Sequence, residues 1–332
     1  RDLVRSRGLG DVYKRQEVKH ALLRLMAHLL HNPNFNPGIS LQEKVAEYLL
    51  NNLDGLKEDS EIKRIVIGSL LWSGAVQNSS IDSLLKERIT SEIEARCITE
   101  DNRSIWEDFG VLVLGEFDEL EHLVIYAVID FLPPAIKPPY FITTGRIGPN
   151  GNYDFVLKTV VLNMELVSAS FLARVLIHEI GHHVHCGQFT AEENDRWKEL
   201  WALSLELEDF ACYYGRENML EDIATAFESY VYNTQGFLAQ TTANLEQSGR
   251  DVRLRKIEFL AKLFAHTSAD GTPVTYAYEI HGSPFGDYFS ITLRQVALAE
   301  QVIVGETYLL PDCDRVINSR VYEYNGWSSH DN

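Results

Sequence analysis

The run His178-Glu179-Ile180-Gly181-His182-His183-Val184-His185 places two imidazoles four residues apart, with a carboxylate beside the first. On a helix, positions i and i+4 share one face, one turn apart. His178 and His182 can therefore hold a single metal ion between them. Glu179 then stands where a general base for a metal-bound water belongs. The plain alternative is a pair of core histidines satisfied by hydrogen bonds; the carboxylate at 179 favours the metal. His183 and His185 fall off the ligand face, so they are expected to face solvent or to sit behind the ligands. Cys186, four residues after His182, could approach the same ion, although a thiol at a helix end is usually inert.

These side chains need a helix to hold them, and the flanks supply one. Ser168 or Ser170 can cap its start. Phe171, Leu172, Val175, Leu176, Ile177, Ile180 and Val184 make a strongly apolar segment without proline, and Cys186-Gly187 offers a stop. A catalytic metal needs a third protein ligand and an open position. Asn218, followed three residues later by Glu221, resembles a capping box, and Ile223, Ala224, Phe227 and Val231 then recur at helical spacing. Glu221 in that first turn is either the third ligand or a plain capping carboxylate. Glu228, further along the same face, is its rival.

The second block adds a resemblance. H-E-x-G-H, followed some forty residues later by Tyr214-Gly215-Arg216-x-Asn218-x-x-Glu221-x-x-Ala224-x-Ala226-Phe227, resembles the catalytic domain of the anthrax lethal factor-like zinc endopeptidases, the group that includes the Pro-Pro endopeptidases. The likeness spans roughly residues 105 to 265. It implies a zincin-type domain with Zn2+ on His178, His182 and Glu221, a gluzincin-type ligand set, and Glu179 as base. It also implies that Tyr214 donates a hydrogen bond to the developing oxyanion. The His183/His185 pair departs from the family pattern, which often carries a small residue and an Asp there.

The chemistry holds together on its own terms. Zinc bound by two neutral imidazoles and a carboxylate acidifies its water and polarises a scissile carbonyl. Glu179 can move the water's proton to the leaving amine. A phenol can supply the second oxyanion donor, from Tyr214 or from Tyr213; two adjacent tyrosines ahead of a helix also serve simply as packing.

At 332 residues with 45% hydrophobic and 11% aromatic content, the chain is long and apolar enough for one large domain or two to three smaller ones. No apolar run reaches a membrane span. The net charge of -18 argues against nucleic acid as the partner and permits steering of basic peptides, although an acidic surface is usually a solubility feature; the peptide or protein substrate is what the metal motif and the resemblance imply. Cys97, Cys186, Cys212 and Cys313 show no metal spacing and are too few for a disulfide framework. Residues 1–16 lack an initiator Met and an apolar pattern, so they read as a non-native or disordered leader and are set aside from fold reasoning. No signal peptide is visible, and the sequence does not disclose localisation or oligomeric state.

The expected fold is α+β and mostly helical, a zincin-type catalytic domain behind an N-terminal helical region. Residues 17–100 read as helices: Ala21, Leu22, Leu25, Met26 and Leu29 recur at helical spacing up to His31-Asn32-Pro33, and Ser40 with Glu43 forms a capping box for the next helix. This region is read as a packing scaffold, with substrate or partner docking as the alternative. In the catalytic region, 101–266, a helix is expected over 118–131 and a strand over 140–144. A loop follows over 145–152, then a strand over 155–164, and further helices over 190–210 and 252–264. In zincins the strand before the metal helix lines the cleft, which points to Lys158 through Asn163. Residues 267–332 read as short strands, clearest at 274–280 and 301–310, with 289–294 ambiguous. The competing functional readings are a zincin-like regulator with a metal site but little protease turnover, and a non-enzymatic helical interaction protein.

Overall fold

Four apolar helical stripes account for the first half of the chain. A computed structural model describes residues 2–31, 39–56, 61–75, 83–145, 150–162, 168–282, 288–303 and 305–325. It divides the chain into two compact units. The first comprises residues 1–116, 140–145 and 154–161; the second comprises 117–139, 146–153 and 162–332. The fold is α+β and mostly helical, as expected.

The first unit holds α1 (Asp2–His31), α2 (Ile39–Leu53), α3 (Glu61–Ala75), α4 (Ser83–Cys97) and α5 (Arg103–Phe109). Leu23, Ala27 and Leu30 of α1 meet Val45, Leu49 and Leu53 of α2, and Leu85, Ile89 and Ile93 of α4 close the same core. Each set repeats every three to four residues, which puts it on one helical face. The helix α3 supplies Val66, Ile67, Leu70 and Leu71 to this core. The helix α1 begins at Asp2, so the leader set aside on sequence grounds is helical here; its side chains before Gln16, like those of Asn32, Pro33 and Ser40, lie outside the described residues. The short strand β1 (Leu112–Leu114) pairs in parallel with β2 (Phe141–Thr144). Asn102 fixes the chain entering β1, with its amide donating to the carbonyls of Cys97 at 3.0 Å and Val113 at 2.8 Å.

The second unit contains β3 (Gly151–Asp154, of which 151–153 belong here) and α6 (Glu119–Asp130), started by a full capping box of Asp118 and Glu121. Then follow α7 (Ala169–Gln188), α8 (Ala191–Leu203), α9 (Met219–Tyr232), α10 (Thr234–Ser248) and α11 (Val252–Leu263). Two corrections concern helix ends. The helix α7 runs through Gly187 to Gln188 rather than stopping at Cys186-Gly187, and the residue that ends it, Phe189, is extended. The helix expected over 190–210 stops at Leu203, and a 3-10 turn covers Leu207–Asp209. After Leu203, Leu205 and Leu207 alternate with acidic residues and stay exposed, so no helical apolar stripe continues.

Of the strand expected over 155–164, β4 covers Thr159–Leu162 and residues 155–158 are a turn, while 163 and 164 lie outside the described residues. The expected loop over 145–152 gives way to β3 from Gly151. The tail is corrected too. It forms an antiparallel sheet, β5 (His266–Thr267), β6 (Pro273–Gly282), β7 (Tyr288–Ile303) and β8 (Glu306–Asn325), in that order, with long rather than short strands. The strand expected over 301–310 is the hairpin between β7 and β8, where Ile303 pairs with Glu306 across Gly305 at φ 80°. Residues 289–294 are strand, with Phe289, Ile291 and Leu293 alternating inward. This sheet buries Tyr276 and Tyr278 toward the helices. Tyr278 N donates to Thr234 Oγ1 at 2.8 Å, and Thr275 Oγ1 donates to Ala261 O at 2.7 Å. Among the described residues, no helix is long and apolar enough to cross a membrane.

Candidate metal centre

The helices α7 and α9 bring the chemistry together by packing closely. Ser168 caps α7, its hydroxyl accepting from Phe171 N at 3.3 Å. Asn218 caps α9, accepting from Leu220 N at 2.9 Å and Glu221 N at 3.1 Å. The reciprocal half of the expected capping box gives way, because Glu221 faces the histidines. At the helix crossing, Gly181 leaves no room for a side chain: a Cβ there would lie 3.0 Å from Ala224 Cα and 3.3 Å from Phe227 Cβ. Gly181 precedes His182 and Ala224 lies one turn past Glu221, so this contact sets the ligand separation.

His178, His182 and Glu221 form a group that could hold a metal ion, with one ligand atom from each lying within 4.8 Å of the others. Glu221 Oε2 is 3.1 Å from His178 Nε2 and 3.6 Å from His182 Nε2. Ligand atoms at about 2.0–2.2 Å from a tetrahedral ion stand about 3.3–3.6 Å apart, so the spacing fits. Hydrogen bonding from His178 and His182 outweighs burial and brings Glu221 down to about 2, so it is ionised over the ordinary range. Cys186 is outside this group.

Glu228 is placed differently from its rival. It accepts from Nδ1 of His178 at 3.3 Å, on the far side of the ring, and its other oxygen takes Arg174 Nε at 2.8 Å. A carboxylate on the outer nitrogen of a ligating imidazole fixes its orientation and tautomer. Burial works against the charged form of His178, yet Glu221 and Glu228 raise it to about 10. Arg174 pairs with Glu228, so Glu221 is left facing the two imidazoles, a donor set that suits a metal ion. Sequence reasoning missed Arg174, although its place one turn before His178 was a signal.

Glu179 is buried and stands outside the ligand group. Burial pushes its carboxyl up to about 7; the neighbouring Glu221 and Glu228 add to the rise, while His178 and the backbone amide of Tyr153 oppose it. A carboxyl near neutrality is suited to proton transfer. Tyr214 stacks on the His178 ring at 5.9 Å, and its pKa is raised by burial and by Glu221, to which its hydroxyl donates. Tyr213 is 69% exposed and lies under Arg216 instead. His183 and His185, expected to face solvent or sit behind the ligands, are both buried. His183 Nδ1 pairs with Tyr153 OH at 2.9 Å and His185 Nε2 with Asn194 Oδ1 at 3.0 Å. Among the described residues, Cys97, Cys186, Cys212 and Cys313 form no disulfide.

A cleft of about 420 Å³ opens beside these residues, and Phe171, Val175, His178, Glu179, Cys212 and Tyr214 are among those that line it. A larger groove of about 820 Å³ runs between α8 and α11, and its charges are closed on themselves, as in Arg196–Glu199 and Lys262–Glu258. Comparison with models of known families, with curated proteins and with solved structures finds no significant match. The segment that reaches α7 is β3, through the backbone of Gly151 and the hydroxyl of Tyr153; the loop expected over 145–152 included Gly151, and Tyr153 fell outside every expected element.

Proposed function

We propose that this chain is a zinc-dependent endopeptidase with a zincin-type catalytic unit, related to the lethal factor-like group its sequence resembles. The observation that carries the reading is the convergence of His178, His182 and Glu221 from two helices, with the buried Glu179 next to the first ligand. Two imidazoles and one carboxylate at tetrahedral spacing suit zinc and leave a position open. Bound there, zinc supplies Lewis acidity, lowering the pKa of a coordinated water and polarising a carbonyl.

The chain's own residues do the rest. Glu179, with its pKa near 7, accepts the attacking water's proton and passes it to the leaving amine. Tyr214 turns its hydroxyl from Glu221 to the oxygen that gains charge. Glu228, itself held by Arg174, keeps His178 in its ligating orientation. The cleft bordered by Phe171 and Val175 offers an apolar wall to a peptide side chain.

Elemental analysis and peptide-library hydrolysis test the reading together. The purified chain is expected to carry one zinc, lost in His178→Ala and Glu221→Ala. Glu179→Gln is expected to keep zinc and lose about 10²–10⁴ of its turnover. Full zinc in both ligand variants would overturn the site. Zinc-loaded protein without chelator-sensitive cleavage would favour the regulator reading.

A further inference from the structure

Helix α7 presents two adjacent stripes, and they do different work. Arg174, His178 and His182 carry the ligands and their support. One residue further round, Val175, Glu179 and His183 repeat at the same four-residue spacing and form a second face. The strand segment Gly151–Tyr153 lies on this second face. At Gly151 the approach is so close that a Cβ would sit 2.6 Å from Val175 Cγ1 and 2.8 Å from Glu179 Oε1. Two residues on, the Tyr153 hydroxyl meets His183 Nδ1 at 2.9 Å, and the two rings meet edge to face at 5.6 Å. A strand advances about 6.6 Å over two residues, and a helix about 6 Å over four. The strand therefore tracks the helix face from Glu179 to His183, with Gly151 also reaching Val175.

We propose that His183 is a positioning residue: its hydrogen bond to Tyr153 seats the Gly151–Tyr153 backbone on the Val175–Glu179–His183 face and so fixes the Glu179 carboxylate for proton transfer. Both partners are buried, Tyr153 at 2% exposed and His183 at 5%. A buried phenol without a partner is costly, so this bond selects one seating of the strand over others. The seating presses glycine backbone against Glu179, which leaves the carboxylate little rotational freedom on that side. The Tyr153 amide, acting on the same carboxylate, supports this arrangement. The catalytic part of the inference rests on the peptidase reading; the seating of the strand does not.

The test uses the full chain and three variants. Tyr153→Phe removes one hydroxyl and keeps the ring. His183→Leu removes the ring nitrogens. His183→Asn keeps a polar atom where Nδ1 stood. Amide hydrogen exchange over residues 150–153, read in the protein as purified, is expected to rise about tenfold in Tyr153→Phe and His183→Leu, with His183→Asn recovering most of the protection. The same two variants are expected to lower kcat about tenfold, the double variant no further than either single, with KM and zinc content unchanged. Wild-type exchange in both variants overturns the seating. Raised exchange with undiminished kcat overturns the role toward Glu179. A wild-type chain that cleaves no peptide overturns the peptidase reading and the catalytic role with it, while the exchange result still decides the seating.

Discussion

Residues 221 and 222 begin the same helix and look in opposite directions. Glu221 faces His178 and His182, at the surface of a cleft. Asp222 faces inward, where its two oxygens take Lys256 Nζ at 2.7 Å and Trp197 Nε1 at 3.1 Å. Both side chains of the Lys256–Asp222 pair are fully buried. Lys256 also donates to the carbonyl of Asp209 at 3.0 Å, and the Asp209 carboxylate receives Arg250 and the amides of Leu205 and Glu206. In this inner network each carboxylate has its own cation. Around Glu221 the arrangement differs: Arg174 pairs with Glu228, and Glu221 faces two imidazoles instead of a lysine or arginine. A charge set that closes on itself holds a fold together, and a carboxylate that meets imidazoles can share a metal ion with them. The difference separates two clusters that begin at consecutive acids of one helix.

The largest effect should come from breaking the closed set. Lys256→Met leaves Asp222 buried with only the indole N–H, and loss of one partner of a buried pair costs about 3–5 kcal/mol. Denaturant unfolding followed by tryptophan fluorescence is the measurement. Burial pushes Asp222 up to about 6 and Lys256 down, so each is held ionised by the other. A loss under about 1 kcal/mol would mean that the inner set does not act as a staple.

On the open side, the prediction concerns rate rather than stability. Tyr214→Phe is expected to lower kcat by about 10²–10³ with zinc content and melting temperature nearly unchanged. Tyr213→Phe, on an exposed ring over which only Arg216 lies, is expected to behave as wild type. Steady-state kinetics on the two variants side by side decide the matter; a loss confined to Tyr213→Phe would transfer the role.

The smallest effect is a pH dependence in the closed set. Burial raises the Asp209 pKa, but Arg250 and the amides of Glu206 and Leu205 outweigh it, so the net shift is below its ordinary 3.8. A carboxylate whose folded pKa is depressed contributes stability above its unfolded value and loses it as pH falls through the folded one. Its contribution is therefore full above about pH 4 and fades in more acid solution. Asp209→Asn should flatten that acid limb at a cost of about 1–3 kcal/mol near neutrality, as measured by unfolding midpoints from pH 7 down to pH 3. An unchanged acid limb would remove Asp209 from the account.

The sequence disclosed the open side better than the closed one, for physical reasons. His178, His182, Glu179 and Glu221 sit on helices whose caps, Ser168 and Asn218, and apolar stripes are local signals, so their faces could be worked out in advance. The helices α1–α4 were legible in the same way. By contrast Asp222, Lys256, Trp197 and Asp209 meet only in three dimensions, and no local period announces a buried lysine. Gly151-Asn152-Tyr153-Asp154 has the composition of a turn, and it becomes a strand by pairing in a sheet, which its own letters do not reveal. Gly187 read as a stop, yet it is exposed with open space around it, and α7 continues one residue past it to Gln188. The lengths of β7 and β8 depend on pairing with each other, which alternation within either strand does not reveal.

The Asn218 cap has a consequence for heredity. A helix turns about 100° with each residue, so the angular phase set at Asn218 decides which of two consecutive acids meets the histidines and which meets Lys256. One inserted or deleted codon between Asn218 and Glu221 rotates the remainder of α9 by that angle against its neighbours. It turns Glu221 out of the metal group and Asp222 away from its lysine in a single event. Point changes in this turn can be graded and repaired one at a time, whereas a change in its length forfeits both clusters together. Lineages descended from this chain should therefore vary the letters of the segment while keeping its length.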